Sequence, residues 1–245
     1  MLNYLITGAT SGIGKAVVHL LNEENHHLIL VGRDQIRLNE ISENLNAMHT
    51  TICCDLDDVS NLKDVLNILP DRIDGFVHCA GVDSTVPLKN ITYEKFEKVF
   101  KVNFFSFLEI IKQISVTKKN TSDYWTSVVA VSSIASNKGG AGQTIYSSSK
   151  AALEAAVIVL SKELIKKKFR INCVRPGLVD TEMTRRWMKR IGIEDINELS
   201  KMQLSGIAKP EEIANVICFL LSPESTHILG QNITVDGGGP SSSIF

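Results

Sequence analysis

The sequence predicts an α/β protein: one doubly wound, Rossmann-type domain over residues 1–245, with a seven-stranded parallel sheet and helices on both faces. Three observations carry this expectation. Short β-branched and aliphatic runs alternate with longer stretches of helical period, the βαβ rhythm that produces parallel pairing. A glycine-rich turn joins the first aliphatic run directly to the first helical stretch. The 245 residues are 44% hydrophobic and 22% charged, as in ordinary globular chains, and neither a Pro/Gly/Ser-rich linker nor an internal repeat divides them.

In order along the chain, the first strand is LNYLIT at 2–7, and the helical period of 12–24 follows at once. HLILVG at 27–32 leads to a helix at 34–46, and TTICC at 50–54 to one at 58–68. IDGFVHC at 73–79 precedes a long helix at 92–118, and SVVAVSS at 127–133 precedes another at 145–168. FRINCVRP at 169–176, a helix at 210–221 and ILGQNITV at 228–235 complete seven strands and six helices. The segment out of step is 178–209, which reads as a loop or lid on the substrate side.

Two helices carry more apolar residues than one buried stripe needs. The first has Phe100, Phe104, Phe105, Phe107, Leu108, Ile110 and Ile111, and the second has Ala151, Ala152, Ala155, Ala156 and the run Val157 to Leu160. Such helices predict a homodimer or homotetramer, the alternative being full coverage within one chain.

Lysine plus arginine number 26 against 27 acids, a net charge of −1, which argues against a nucleic-acid partner. No apolar run is long enough to span a membrane, and MLNYLITGATSGIG has no signal-peptide organisation, so a cytoplasmic protein is expected. The five cysteines (Cys53, Cys54, Cys79, Cys173, Cys218) sit among aliphatic residues, where small buried hydrophobes belong, without Cys-x-x-Cys spacing, and the six histidines form no ligand cluster. Neither a disulfide framework nor a metal site is expected.

Chemistry enters at Thr7-Gly8-Ala9-Thr10-Ser11-Gly12-Ile13-Gly14. Glycines at a strand-to-helix turn let the main chain approach a phosphate, and the helix N-terminus offers free N–H groups and partial positive charge to hold it. At the end of the second strand, where an acid would receive the ribose hydroxyls of NAD, stand Gly32 and Arg33. An arginine fork suits a 2′-phosphate, so NADP(H) is expected over NAD(H). The competing reading gives the ribose to Asp34 and leaves Arg33 in solvent.

Tyr146 and Lys150 open a long helix, four residues apart and therefore on one face, with Cβ atoms about 6 Å apart. A nearby ammonium favours the phenolate, which would let this phenol exchange a proton near neutral pH. Ser132 and Ser133 end the preceding strand, where a hydroxyl could hold a substrate oxygen.

The spacing TGxxxGxG, together with Tyr146-x-x-x-Lys150, resembles the short-chain dehydrogenase/reductase family over essentially the whole chain. The resemblance implies that Gly8, Ser11, Gly12, Ile13, Gly14, Arg33, Asp55, Leu56, Ala80, Gly81, Tyr146, Lys150, Val179 and Thr181 contact the dinucleotide. It selects Ser133, thirteen residues before Tyr146, as the catalytic serine, and adds Asn103 as the helix residue orienting a water in a relay to Lys150. Asn103, Ser133, Tyr146 and Lys150 are then the catalytic set, and Ser133 and Tyr146 also bind the substrate. The family usually reads NNAG after its fourth strand; here His78-Cys79-Ala80-Gly81 stand instead, which puts the usual asparagine pinning in doubt.

Pro176-Gly177 and Asp236-Gly237-Gly238 also fit the family pattern. The VDTEMTR segment, the start of the 210–221 helix and the C-terminal run look most like bacterial 3-oxoacyl-(acyl-carrier-protein) reductases. The expected activity is reversible interconversion of a small or carrier-bound carbonyl and a secondary alcohol. A sugar or other secondary-alcohol dehydrogenase is the alternative, and a non-catalytic NADP-binding regulator is the alternative of a different class. The lid run Arg185, Arg186, Lys189, Arg190 would suit an anionic carrier, or simply form a solvated face.

Overall fold

A computed structural model describes residues 1–23, 26–58, 62–63, 66–117, 124–200 and 202–239. Its seven strands are β1 (Asn3–Thr7), β2 (His27–Gly32), β3 (His49–Cys53), β4 (Gly75–His78), β5 (Thr126–Val131), β6 (Phe169–Pro176) and β7 (Asn232–Val235). They form one sheet in the order β3-β2-β1-β4-β5-β6-β7, with every neighbouring pair parallel. The chain steps outward from β1 to β3 and then crosses to β4. This reversal leaves a crevice beyond the carboxyl ends of β1 and β4, where open α/β sheets bind their ligands.

Successive residues of a strand point to opposite faces, and both faces are buried here, so the strands are apolar throughout rather than alternating. Leu5, Phe76, Val128 and Ile171 face one core with Phe107, Ile110, Ile114, Leu153 and Val157. Their neighbours Ile6, Val77, Val129 and Val174 face the other with Val17, Leu21, Ile213, Ile217 and Leu220. The helices on the second face are α1 (Gly12–Glu23) and, later in the chain, residues Pro210–Leu221. Helix α2 (Gln35–Ser42) starts at Asp34, whose carboxylate accepts from the Ile36 and Arg37 amides.

The structure modifies the sequence expectation at several places. The helix expected at 92–118 is α3 (Tyr93–Phe100), a π-helical turn over Lys101–Phe105, and α4 (Ser106–Thr117). A one-residue register expansion of this kind reorients the side chains it carries, and Asn103 is among them. The last strand begins at Asn232 rather than 228, because Gly230 has φ +64° and cannot continue an extended run. Strand β5 stops at Val131, which puts Ser132 and Ser133 in the turn before α5 (Ala135–Lys138) and α6 (Thr144–Glu163).

The segment 178–209 is not a plain loop, since it holds α7 (Glu182–Ile191) and α8 (Ile196–Ser200), followed by α9 (Pro210–Leu221). Among the cysteines, Cys53 is exposed on the edge strand and Cys79 and Cys218 are half-buried, so only Cys54 and Cys173 fit the expected buried setting. The helix expected at 58–68 lies partly outside the described residues. Among the described residues no helix is long and apolar enough to cross a membrane, and no cluster of His, Cys, Asp and Glu could hold a metal ion.

Candidate active site

A cleft of about 560 Å³ opens at the carboxyl ends of β1, β2 and β4. Gly8, Ser11, Gly12, Ile13, Gly14, Arg33, Asp55, Leu56, Ala80, Gly81 and Thr181 all line it. Its floor is close-packed main chain: a Cβ at Gly14 would run into the Gly8 carbonyl, and one at Gly8, where φ is +66°, would lie 2.8 Å from the Ala80 nitrogen. Only glycine fits these positions, so the turn before α1 presents bare amides at a helix N-terminus. Bare amides of this kind could hold a diphosphate, and the residues present fit a dinucleotide.

At the far end, Arg33 is exposed and lines the cleft beside Gly32 and Arg37. Asp34 lines it too, but its Oδ1 is occupied by the α2 amides at 3.0 and 3.2 Å. The Arg37 guanidinium lies 3.1 Å from the Glu182 carboxylate, so α2 and α7 are joined across the mouth. No local sequence signal reveals this pair, whose members are 145 residues apart. Asp55 lines the cleft while accepting from the Asp57 amide at 3.1 Å, so its turn-forming and cleft-facing roles coexist.

Val179 is buried and bridged to Ala208 rather than lining the cleft. Thr181 caps α7, with its hydroxyl accepting from the Thr184 amide at 3.3 Å, and it faces Gly12 across the cleft. The base of the lid is held by Gln203, which donates to the Leu178 and Gly206 carbonyls at 3.1 and 2.8 Å and accepts from the Leu178 amide. Arg190 of the lid pairs with Asp83 on the opposite wall.

The expected catalytic residues converge behind Gly81. The Ser133 hydroxyl lies close enough to the Tyr146 phenol to offset part of its pKa rise, and the Lys150 ammonium stands 5.9 Å from the centre of the Tyr146 ring. Lys150 is buried, donates to the Val131 carbonyl at 2.8 Å, and would lie 3.4 Å from a Cβ placed on Gly81. Of the two serines, Ser132 turns away and donates to Glu154 at 2.6 Å. Ser133 alone points to the tyrosine.

The electrostatics depart from the sequence expectation in one respect. Burial pushes the Tyr146 pKa up, and the partner offsetting part of that rise is Ser133 rather than Lys150. Lys150 is itself pulled down to about 8 by burial. The ammonium is anchored on a strand carbonyl and stands over the ring rather than in contact with it.

Asn103 is fully buried, and its side chain is committed: Oδ1 accepts from the Val82 amide at 2.8 Å, and Nδ2 donates to the Val82 carbonyl and the Ser149 hydroxyl, both at 3.0 Å. The side chain therefore clasps the segment after β4. His78 supplies the pinning that the missing asparagines leave open. Its Nδ1 shares a 2.9 Å hydrogen bond with the Thr7 hydroxyl, which in turn accepts from the Ala80 amide at 3.3 Å.

The ring of His78 packs against Phe76 and Phe107, and burial, reinforced by Lys150, pushes its pKa down to about 3. It is neutral at physiological pH. Residues that sequence reasoning did not single out for the site are therefore His78 as a pin, Glu154 behind Ser132, and Arg37, Glu182 and Gln203 around the mouth.

The family model for enoyl-(acyl carrier protein) reductase matches residues 8–239. The chain belongs to the short-chain dehydrogenase/reductase family. It is 32% identical over 243 residues to the 3-oxoacyl-[acyl-carrier-protein] reductase FabG of Thermotoga maritima, covering 96% of each chain. It is 29% identical to carbonyl reductase family member 4 of Danio rerio, again covering 96% of each chain. Among solved structures, a short-chain dehydrogenase family protein from Francisella tularensis is 31% identical with a TM-score of 0.86, covering 97% of this chain and 98% of that one. As a member of this family the chain is an oxidoreductase, and the sheet order and cleft described above are those of its fold.

Proposed function

We propose that this protein is an NADP(H)-dependent oxidoreductase that interconverts a carbonyl and a secondary alcohol, with 3-oxoacyl thioesters as its substrate class. The observation that carries the proposal is the grouping of Ser133, Tyr146 and the buried Lys150 behind Gly81, which lines the glycine-floored cleft. The dinucleotide, when bound, supplies or accepts the hydride at its nicotinamide ring.

The chain's own residues do the rest. In the reductive direction, Ser133 donates a hydrogen bond to the substrate oxygen and Tyr146 transfers its phenolic proton to it. The phenolate left behind has the Lys150 ammonium 5.9 Å from its ring centre, a positive charge of the sign that favours it. Asn103 and His78 keep the Ala80-Gly81-Val82 segment in place. Gly8, Ser11, Gly12, Ile13 and Gly14 hold the diphosphate, Asp55 and Leu56 the adenosine side, and Thr181 the nicotinamide side, with Val179 behind it fixing the turn through its bridge to Ala208.

NADP(H) is favoured over NAD(H) by Arg33 and Arg37 at the adenosine end, and by the capping duty that occupies Asp34. The 3-oxoacyl class is supported by the Thermotoga relative, and the carbonyl class more broadly by the zebrafish one. Oxidation of NADPH and NADH against a panel of ketones and 3-oxoacyl thioesters tests the reading. Turnover confined to sugars or simple secondary alcohols would replace the substrate class, and cofactor binding without turnover on any substrate would make the protein a regulator.

The exposed apolar residues Phe96, Phe105, Ile158 and Val159, on α3, the π turn and α6, are assigned to contact with a second copy of the chain in a homodimer or homotetramer. Light scattering reads that state directly.

A further inference from the structure

Glu154 lies one helical turn beyond Lys150 on α6 and is 7% exposed. Its carboxylate accepts from the Ser132 hydroxyl at 2.6 Å, from Arg175 Nε at 2.9 Å and from an Arg175 terminal nitrogen at 2.5 Å. Each partner adjoins a part of the site. Ser132 precedes Ser133, and Arg175 precedes the Pro176-Gly177 turn that leads to Val179 and Thr181. Arg175 reaches on to the Thr234 hydroxyl of β7 at 3.4 Å. One buried carboxylate thus joins the helix bearing Tyr146 and Lys150 to the ends of β5 and β6.

Its charge also acts on Lys150. The groups facing Lys150 are His78 and Cys79 from the end of β4, Cys173 from β6, and Tyr146 and Glu154 from its own helix. Burial pushes both thiols up to about 12 and, with Lys150, pulls the imidazole down to about 3. These three groups are therefore uncharged near neutral pH, as is the phenol, which burial holds above its ordinary value. Burial works against the Glu154 carboxylate, but the hydrogen bonds from Arg175 and Ser132 outweigh it and hold Glu154 ionised. Of the groups facing Lys150, the one that carries a negative charge is Glu154, and it is shared with Arg175.

We propose that Glu154 is a positioning residue of this site: it registers Ser133 against Tyr146 and Lys150, and its charge, divided with Arg175, keeps the Lys150 ammonium protonated. The proposal rests on the reading of Tyr146 and Lys150 as the proton-transfer pair. It differs from a purely structural ion pair in one consequence. Removing Glu154 and removing Arg175 should move the Lys150 titration in opposite directions, because one deletes the favourable charge and the other releases it from its partner.

The test is NMR titration of protein labelled at lysine Cε, with Lys150 assigned by the signal missing from Lys150→Arg. Glu154→Gln should lower the Lys150 midpoint by about one pH unit and Arg175→Gln should raise it by a similar amount. Glu154→Asp, which keeps the charge, should restore most of the shift. In parallel, NADPH oxidation with the N-acetylcysteamine thioester of acetoacetate should lose about tenfold in kcat in Glu154→Gln, with KM for NADPH changed less than about twofold. Its alkaline limb should move down with the Lys150 midpoint.

A midpoint unmoved in Glu154→Gln, or moved the same way in both variants, overturns the inference. Should Glu154→Gln fail to fold, Arg175→Gln decides alone: its midpoint must rise. Because the titration needs no turnover, a correct shift in a protein inactive on every ketone would refute the proposed function and leave the positioning role standing.

Discussion

Around β1, β2 and β4 the site is a cleft floored by main chain and small residues, whereas across β5, β6 and α6, behind the Gly81 wall of that cleft, it is a cluster of side chains held by other side chains. The first half works by what is missing. Gly8, Gly12 and Gly14 leave amides bare and let the Gly8 carbonyl and Ala80 close up to the turn. The second half works by networks, in which Ser133, Tyr146 and Lys150 each depend on a partner elsewhere: Lys150 on Val131, and the serine turn on Glu154 and Arg175. The difference teaches that binding and chemistry in this cleft have separable supports, and substitutions in the two halves should fail in different ways.

The largest expected effect separates them most cleanly. Tyr146→Phe removes the transferable proton and nothing from the glycine floor. Turnover should fall by about a thousandfold, while the dissociation constant for NADPH, read by its fluorescence, stays within about twofold. Loss of cofactor binding in this variant would mean that the two halves are not separable at Tyr146.

His78 lies on the seam between the halves, and its effect is one of pH. The ring is fully buried, and its pKa is pulled from the ordinary 6.5 down to about 3, by burial first and Lys150 second. Below about pH 6.5 the unfolded chain takes up a proton that the folded protein refuses until about pH 3, so stability present above that window is lost as pH falls through it. The upper bound by pH 4 is roughly 3 kcal/mol. His78→Asn restores the residue type usual in the family and removes the titration. Urea melts from pH 7 to pH 4 should show a smaller loss in the variant than in the parent protein, and parallel curves would exclude His78 as the cause.

These two residues also show what was legible in the sequence. The sheet, its seven strands and the glycine floor follow from local patterns, because burial on both faces and a positive φ each dictate residue type at a single position. Tyr146 and Lys150 stood out by their spacing, and Ser133 only through the family resemblance. The role of His78 was not, since nothing local distinguishes a core histidine from one that reaches the Thr7 hydroxyl on a neighbouring strand. Glu154 escaped for the same reason, its partners lying 21 and 22 residues away in sequence. The π turn at Asn103 was invisible to a helical period that reads almost the same on either side of it. The helices within 178–209 were missed because α7 is strongly charged and breaks the strand-helix rhythm used to find the others.

On the glycine side, Gly14→Ala should act on binding and folding alike. The new methyl meets the Gly8 carbonyl and comes within 3.2 Å of the Cys79 Cβ, so the turn and the segment after β4 must both move. A destabilisation of about 2 kcal/mol is expected from overpacking. NADPH binding should weaken by at least about tenfold, while any residual activity at saturating cofactor keeps the parental pH profile. An altered profile would show that the floor also shapes the proton-transfer pair.

The smallest expected effect is at the outer edge of the same half, where contacts are exposed and screened. Arg33 is exposed beside Gly32, and the nearest acid, Asp34, spends Oδ1 on the α2 amides. If Arg33 receives a 2′-phosphate, Arg33→Ala should reduce the preference for NADPH over NADH by about tenfold, or about 1.4 kcal/mol, with NADH affinity unchanged within about twofold. The loss should shrink as ionic strength rises, since the pair faces solvent. Equal affinity for the two cofactors in the parent protein would remove the NADP assignment. A parent that prefers NADPH but keeps that preference in Arg33→Ala would instead move the phosphate contact to Arg37, where the present partner is Glu182 of the lid.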